Sequence, residues 1–134
     1  MIGLRQKYPH SAPIDIRATL QREFDSQGIL RQLKPGARIA VATGSRGITN
    51  IQAIVAATVE LLKKAGAAPF IIPAMGSHGG ATAEGQAGVL AEYGITEATM
   101  KAPIRAAMEV ERVGTTADGV EVFVSAEALR SDGI

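Results

Sequence analysis

The sequence contains no cysteine, no tryptophan and only two histidines in 134 residues. Without cysteine the chain can form no disulfide, no thiolate zinc site and no cysteine nucleophile. Two histidines cannot by themselves build a closed transition-metal site. Aromatic residues make up 4% of the chain, which leaves few side chains on which nucleic-acid bases could stack. The chemistry of this protein therefore has to come from a small set of polar side chains.

The sequence also lacks an excess of charge of one sign and a long apolar run. Lys and Arg (14) nearly balance Asp and Glu (13), so no general attraction to nucleic acid or to an anionic membrane is expected. No apolar stretch approaches the ~20 residues of a membrane span, and residues 1–7 lack the apolar segment of a signal peptide. These absences predict a cytoplasmic protein that binds neither nucleic acid nor membrane.

The spacing of apolar residues predicts one α/β domain with a β-α-β unit near its middle. Residues 1–13 are polar and contain two prolines, which indicates an extended arm. An amphipathic helix that Gly28 can break is predicted within residues 14–33. The β-α-β unit covers residues 38–73: a strand at 38–43, a helix capped by Thr49 or Asn50, and a strand at 68–73. Its two strands should be parallel, with a right-handed crossover.

Further elements are predicted in the second half of the chain. They are a helix from Thr82 to about Glu92, a short helix after Thr96, strands at 108–113 and 120–124 joined by an Asp-Gly turn, and a short helix after Ser125. Together the elements indicate a Rossmann-like parallel βαβ core with an added β-hairpin. The last residues, 132–134, resemble a turn with the first residue of a strand. We therefore expect a truncated N-terminal domain of a longer protein.

Two glycine-containing loops follow the two parallel strands. Ligands of open parallel sheets bind beyond the carboxyl ends of the strands, where Gly44–Gly47 presents Arg46 and Met75–Ala81 presents His78 as an exposed imidazole. Helix N-termini and a guanidinium at this edge would favour an anion. Simpler interpretations remain open, because neither loop fits a dinucleotide or P-loop fingerprint. The histidine loop can be only a turn, and Arg46 only part of a surface salt bridge; His10 is interpreted as an exposed residue of the arm.

Three segments carry a resemblance to a known family. They are PFIIPAMGSHGGATAEGQ (Pro69–Gln86), ATGSRGI (Ala42–Ile48) and YGIT (Tyr93–Thr96). These segments resemble the N-terminal domain of the lactate racemase family, which comprises the nickel-pincer-nucleotide enzymes and their relatives. The likeness covers most of residues 1–134 and is strongest from Arg38 to about Arg112.

The resemblance implies an isomerase that racemises or epimerises a 2-hydroxy acid. In this mechanism a histidine takes the proton of the substrate hydroxyl while hydride passes from the α-carbon to the cofactor, and return of hydride to either face inverts the centre. His78 matches the first of the two catalytic histidines of the family, and histidines in general titrate near neutral pH. Arg46 matches the arginine of the Asp-x-Thr-Arg-Pro motif and would hold the anionic substrate. The cofactor-binding positions implied are Thr43, Ser45, Gly76 and Ser77.

The sequence departs from the family pattern at two positions of the first loop. Thr43 stands where lactate racemase has aspartate, and Gly47 where it has proline, which favours another hydroxy acid as substrate. The second histidine, the lysine that bonds the cofactor and the nickel-binding histidine are expected beyond Ile134. The nickel-pincer nucleotide is therefore expected in the full-length protein, together with its C-terminal part, and not in this chain alone, which should be inactive. The alternative is a non-catalytic anion- or nucleotide-binding module.

Overall fold

The structure is a computed structural model that describes residues 3, 5–8 and 12–134, and its elements mix helix and strand. The strands are β1 (Arg38–Thr43), β2 (Ala68–Pro73), β3 (Val110–Thr115) and β4 (Glu121–Ser125). The helices are α1 (Ile16–Ser26), α2 (Ile29–Gln32), α3 (Ile51–Lys64), α4 (Ala83–Glu92), α5 (Glu97–Met100) and α6 (Ala126–Leu129). A 3-10 turn covers His78–Ala81 between β2 and α4.

The predicted β-α-β unit is confirmed. β1 and β2 pair in parallel, with Arg38 opposite Ala68 and Thr43 opposite Pro73. α3 connects the two strands. Its buried residues, such as Val55 and Val59, recur on one face at helical spacing, as in an amphipathic helix. Asn50 is the N-cap of this helix, but it takes a left-handed conformation with φ of +61° and makes no side-chain capping bond. Asparagine tolerates that conformation better than most residues with a side chain.

The parallel pair of strands is buried on both faces. On one face, Ile71 belongs to an apolar cluster with side chains of α3, α4 and α5, which include Val55, Val59, Leu90 and Met100. On the opposite face, the strands form a second cluster with α6, whose members are Ala40, Phe70, Ile72 and Ala128. Burial on both faces explains why both strands are almost continuously apolar in sequence.

Two single parallel bridges extend this pair on either side. Ile104 bridges to Ile71 at the outer side of β2, and Gly133 bridges to Ile39 at the outer side of β1. The backbone N–H of Ala40 donates to Gly133 O at 2.9 Å. Four parallel segments therefore lie side by side in the order Ile104, β2, β1, Gly133. The bridge at Gly133 agrees with the predicted turn and strand start at 132–134.

The remaining elements follow the predictions with shifted bounds. Gly28, with φ of +65°, separates α1 from α2, so the helical segment is broken there as its sequence suggests. β3 and β4 form the antiparallel hairpin, but β3 spans Val110–Thr115 rather than 108–113. The side chain of Thr116 accepts from Val120 N at 3.0 Å, which confines the turn to the residues after Thr115.

The N-terminal arm is described only in part. Its described residues, 3, 5–8 and 12–13, form neither helix nor strand. His10, predicted to be an exposed residue of the arm, lies outside the described residues. No helix in the described part of the chain is both long enough and apolar enough to cross a membrane.

Candidate functional site

The two glycine-containing loops leave the same edge of the parallel sheet. β1 and β2 end in register at Thr43 and Pro73, and the N–H of Ala74 donates to Thr43 O at 2.8 Å. The loops therefore start side by side, as the sequence predicts for consecutive parallel strands. Residues 43–47 are called the serine loop below, and residues 74–82 the histidine loop.

The serine loop buries its hydroxyl residues and exposes its charge. Thr43 and Ser45 are 2% and 7% exposed, whereas Arg46 is exposed. Among the described residues no ion pair involves Arg46. Gly47 has φ of +73°, a conformation that favours glycine and lets the chain turn towards α3. The guanidinium is thus accessible to an anionic ligand.

Left-handed backbone conformations shape the histidine loop. Gly76, Gly79 and Gly80 have φ of +60°, +62° and +67°, values that glycine adopts without steric cost. Ala81 follows with φ of +55°, which is uncommon for a residue with a Cβ atom. This tight turn explains the concentration of glycine around His78 and sets the direction in which its side chain leaves the backbone.

Two side chains connect the histidine loop with helix α4. Thr82 caps the helix, since its Oγ1 accepts from Gly85 N at 3.0 Å. The side chain of Gln86 is 5% exposed and donates through Nε2 to Gly76 O at 2.7 Å. The loop that carries His78 is therefore bonded to the first turn of α4 at both of its ends.

A hydrogen bond joins the two loops into one site. It connects Ser45 Oγ with His78 Nδ1. On the other side of the serine, the hydroxyl of Tyr93 donates to Ser45 O. The imidazole is half-buried, whereas the glycine-rich sequence predicted an exposed ring. The ring loses exposure because it contacts the serine loop, which lies 33 residues earlier in the chain.

The four positions that the resemblance implies as cofactor-binding lie in these loops and differ in their exposure to solvent. Thr43 Oγ1 donates to a backbone carbonyl within β1 at 3.3 Å, and Ser45 Oγ is engaged by His78. Gly76 and Ser77 are exposed. Two of the four positions are therefore accessible from solvent, and the contact of all four with a cofactor stays a prediction.

The described residues do not form a metal centre. His78 is the only histidine among them. Within residues 3, 5–8 and 12–134, no group of three or more His, Cys, Asp or Glu side chains is arranged to hold a metal ion. The resemblance places the nickel-binding histidine beyond Ile134, so the nickel-pincer nucleotide stays a prediction for a longer protein.

A cavity of about 570 Å³ lies beside the Gly133 edge of β1, away from the two loops. Apolar side chains of α1, α2 and β1 line it, including Phe24, Ile29 and Val41. Neither Arg46 nor His78 borders this cavity. Among the residues that line it, Asp132 is the one carboxylate side chain.

Sequence reasoning did not identify Gln86 and Tyr93 as parts of the site. Both nevertheless lie within segments that carry the family resemblance, since Gln86 ends the run from Pro69 and Tyr93 begins the segment 93–96. Their position within these segments was the sequence signal that could have identified them. Their contacts with Gly76 and with the serine loop give these two side chains a structural reason to belong to the motif.

Comparison with models of known protein families, with curated proteins and with solved structures finds no match to this chain. The groups available for chemistry at the site are the side chains of Arg46, Ser45 and His78.

Proposed function

We propose that this chain is the N-terminal catalytic part of an enzyme similar to lactate racemase, which racemises or epimerises a 2-hydroxy acid. The observation that carries the proposal is that His78 and the Arg46-bearing loop meet at one edge of a parallel sheet. An imidazole suits reversible proton transfer from a hydroxyl, and a guanidinium suits a carboxylate. A 2-hydroxy acid carries these two groups on adjacent carbons.

We propose further that the sheet belongs to a Rossmann-like fold. The order Ile104, β2, β1, Gly133 supports this, because it corresponds to the 3-2-1-4 order of doubly wound sheets. In such sheets the ligand lies where the strand order reverses, outside the carboxyl ends of the strands. That point falls between β1 and Gly133. Arg46 follows β1 directly, which supports its assignment to the binding of substrate.

The proposal assigns two steps to residues of this chain. Arg46 binds the substrate carboxylate, and His78 accepts the hydroxyl proton at a ring nitrogen. The hydride acceptor is not among the described residues. The nickel-pincer nucleotide remains a proposal for a longer protein, held by residues of its C-terminal part. A cytoplasmic location is also proposed, and it is compatible with the lack of a membrane-spanning helix among the described residues.

Binding of matched ligands tests the substrate class. L-lactate, D-lactate and propionate, which lacks the 2-hydroxyl, are titrated into the chain and followed by NMR. Lactate should bind about fivefold more tightly than propionate, as expected from one hydrogen bond worth ~1 kcal/mol. Arg46→Ala should weaken the binding of all three. Arg31→Ala is the matched control, because Arg31 is also an exposed arginine. It lies in α2, and the apolar residues in and beside α2 pack near the start of β1 rather than near its carboxyl end.

The role of His78 is tested by two measurements. His78→Ala should abolish the preference for lactate over propionate in this chain. In the longer enzyme loaded with cofactor, the same substitution should abolish interconversion of the two enantiomers. Unchanged interconversion would refute the proposal.

The second candidate is an anion-binding module without catalysis. The exposure of Arg46, with no ion pair to any residue in the described part of the chain, favours it. This candidate predicts equal binding of lactate and propionate, lost in Arg46→Ala and retained in His78→Ala. The two candidates thus differ in the outcome of a single titration series.

A further inference from the structure

The buried hydroxyl of Ser45 holds one nitrogen of the His78 ring. Ser45 is 7% exposed, and its Oγ is hydrogen-bonded to His78 Nδ1. The bond is part-buried, and partial shielding from water strengthens a hydrogen bond relative to one at an exposed surface, because the local dielectric is lower. The contact therefore restrains the imidazole at Nδ1.

The other ring nitrogen is open to solvent. No described residue makes a hydrogen bond to His78 Nε2. Among the described residues there is also no side-chain nitrogen or oxygen that is both buried and unpartnered. Nε2, which has no described partner, is therefore not fully buried, and His78 as a whole is half-buried. Nε2 is thus the ring nitrogen that a substrate hydroxyl can reach.

We infer that Ser45 is a positioning residue that holds the His78 ring at Nδ1. A hydroxyl can donate to Nδ1 or accept from Nδ1–H; a base that acts at Nε2 requires that Ser45 accept, so that the lone pair of Nε2 is left for the substrate proton, and this part of the inference rests on the proposed function. A histidine that gains a proton at Nε2 carries Nδ1–H both before and after the transfer. A hydroxyl oxygen can accept from Nδ1–H in both states. Ser45 can therefore keep its bond to the ring throughout the reaction.

The serine is itself held in place by α4. The hydroxyl of Tyr93, at the C-terminal end of this helix, donates to Ser45 O. Near the N-terminal end of the same helix, Gln86 donates to Gly76 O at 2.7 Å. Both partners of the Ser45–His78 bond are thus anchored to one rigid element. Such support from groups around a site is what keeps a catalytic side chain in its productive orientation.

The experiment is ¹⁵N NMR of the imidazole in the full 134-residue chain, with His10→Gln in every sample so that His78 gives the only signals. The spectrum is recorded in alkaline buffer. The inference predicts a protonated Nδ1 and an unprotonated Nε2. Ser45→Ala should shift the population towards Nε2–H, and Ser45→Thr should restore the original pattern. Tyr93→Phe should give a smaller shift in the same direction as Ser45→Ala.

Each outcome of this experiment decides the inference. An Nε2–H tautomer in the chain with native Ser45 overturns it, and so does a tautomer ratio that Ser45→Ala leaves unchanged. If Ser45→Ala does not fold, the spectrum with native Ser45 and that of Tyr93→Phe still decide. The lactate titrations test the proposed function separately. A correct tautomer without any preference for lactate over propionate counts against recognition of the lactate hydroxyl by His78 but not against the positioning role of Ser45.

Discussion

Gly79 and Gly85 are in direct backbone contact between the His78 turn and the first turn of α4. A Cβ atom added to Gly79 would lie 2.3 Å from the carbonyl carbon of Gly85. One added to Gly85 would lie 1.8 Å from the carbonyl oxygen of Gly79. Backbone atoms cannot rotate away as the end of a flexible side chain can. These two glycines therefore set how closely the histidine loop approaches α4.

Gly85→Ala should destabilise the protein by about 1–3 kcal/mol, the usual cost of forcing atoms into a filled space. A loss of stability would be informative, because helix propensity alone favours alanine over glycine by up to ~1 kcal/mol. Gly88→Ala is the matched control in the same helix, since a Cβ atom there would meet nothing within 4 Å. Urea denaturation should show Gly88→Ala to be neutral or stabilising. Equal effects of the two substitutions would contradict the close contact.

Gln86→Leu should loosen the histidine loop while leaving the rest of the fold in place. The substitution removes the donor to Gly76 O but keeps the volume of a buried side chain. Amide hydrogen exchange in residues 76–81 should become faster. Gln52→Leu is the matched control, because Gln52 Nε2 donates to a different glycine carbonyl, Gly94 O, at 3.0 Å. Exchange in residues 76–81 should be unchanged in that control, and equal acceleration in both variants would argue against the assigned role of Gln86.

The elements of the β-α-β unit could be predicted because their signals are local. The apolar runs of β1 and β2, the periodic apolar face of α3 and the glycine after its last turn all lie within short windows of sequence. The bridge at Ile104 could not be predicted in this way. It rests on one residue, whose pairing with Ile71 is fixed by tertiary packing rather than by any local pattern.

The candidate site was predictable in its position and not in its contacts. Consecutive parallel strands bring their following loops to one edge, so the proximity of the serine and histidine loops follows from topology. The hydrogen bond between Ser45 and His78 depends on side-chain geometry across 33 residues of chain, and the bond from Tyr93 to Ser45 spans 48. Periodicity and spacing carry no information on such pairs.

Leu90→Ala should cost about 2–5 kcal/mol of stability, as usual for a fully buried leucine. Leu90 is 0% exposed and packs in the cluster between the sheet and α4. Leu129→Ala is the matched control, since the side chain of Leu129 is 43% exposed and its truncation should change stability by less than ~0.5 kcal/mol. Urea denaturation of both variants measures the difference. Similar losses would mean that Leu90 does not lie in the core.

Stability should depend on acid pH through Glu60. Hydrogen bonds from Lys64 and Arg17 lower the pKa of Glu60 below its ordinary value of 4.5. A carboxylate whose pKa is lower in the folded than in the unfolded state contributes stability above the unfolded pKa, and this contribution is lost as the pH falls through the folded pKa. Glu60→Gln should therefore lower the melting temperature at neutral pH and have no effect once the native carboxylate is protonated. The effect is small because the groups are exposed.

The pH dependence distinguishes the loss of the Glu60 ion pairs from other effects of the Glu60→Gln substitution on stability. Melting temperatures of the native chain and of Glu60→Gln are compared from neutral pH to well below 4.5, the ordinary pKa of the group. The difference should be constant at neutral pH and should vanish in acid. Added salt should reduce it at neutral pH, because exposed ion pairs are screened. Glu92→Gln is the control, since no ion pair of Glu92 occurs among the described residues. A difference for Glu60→Gln that persists unchanged in acid would show that these hydrogen bonds do not stabilise the charged form.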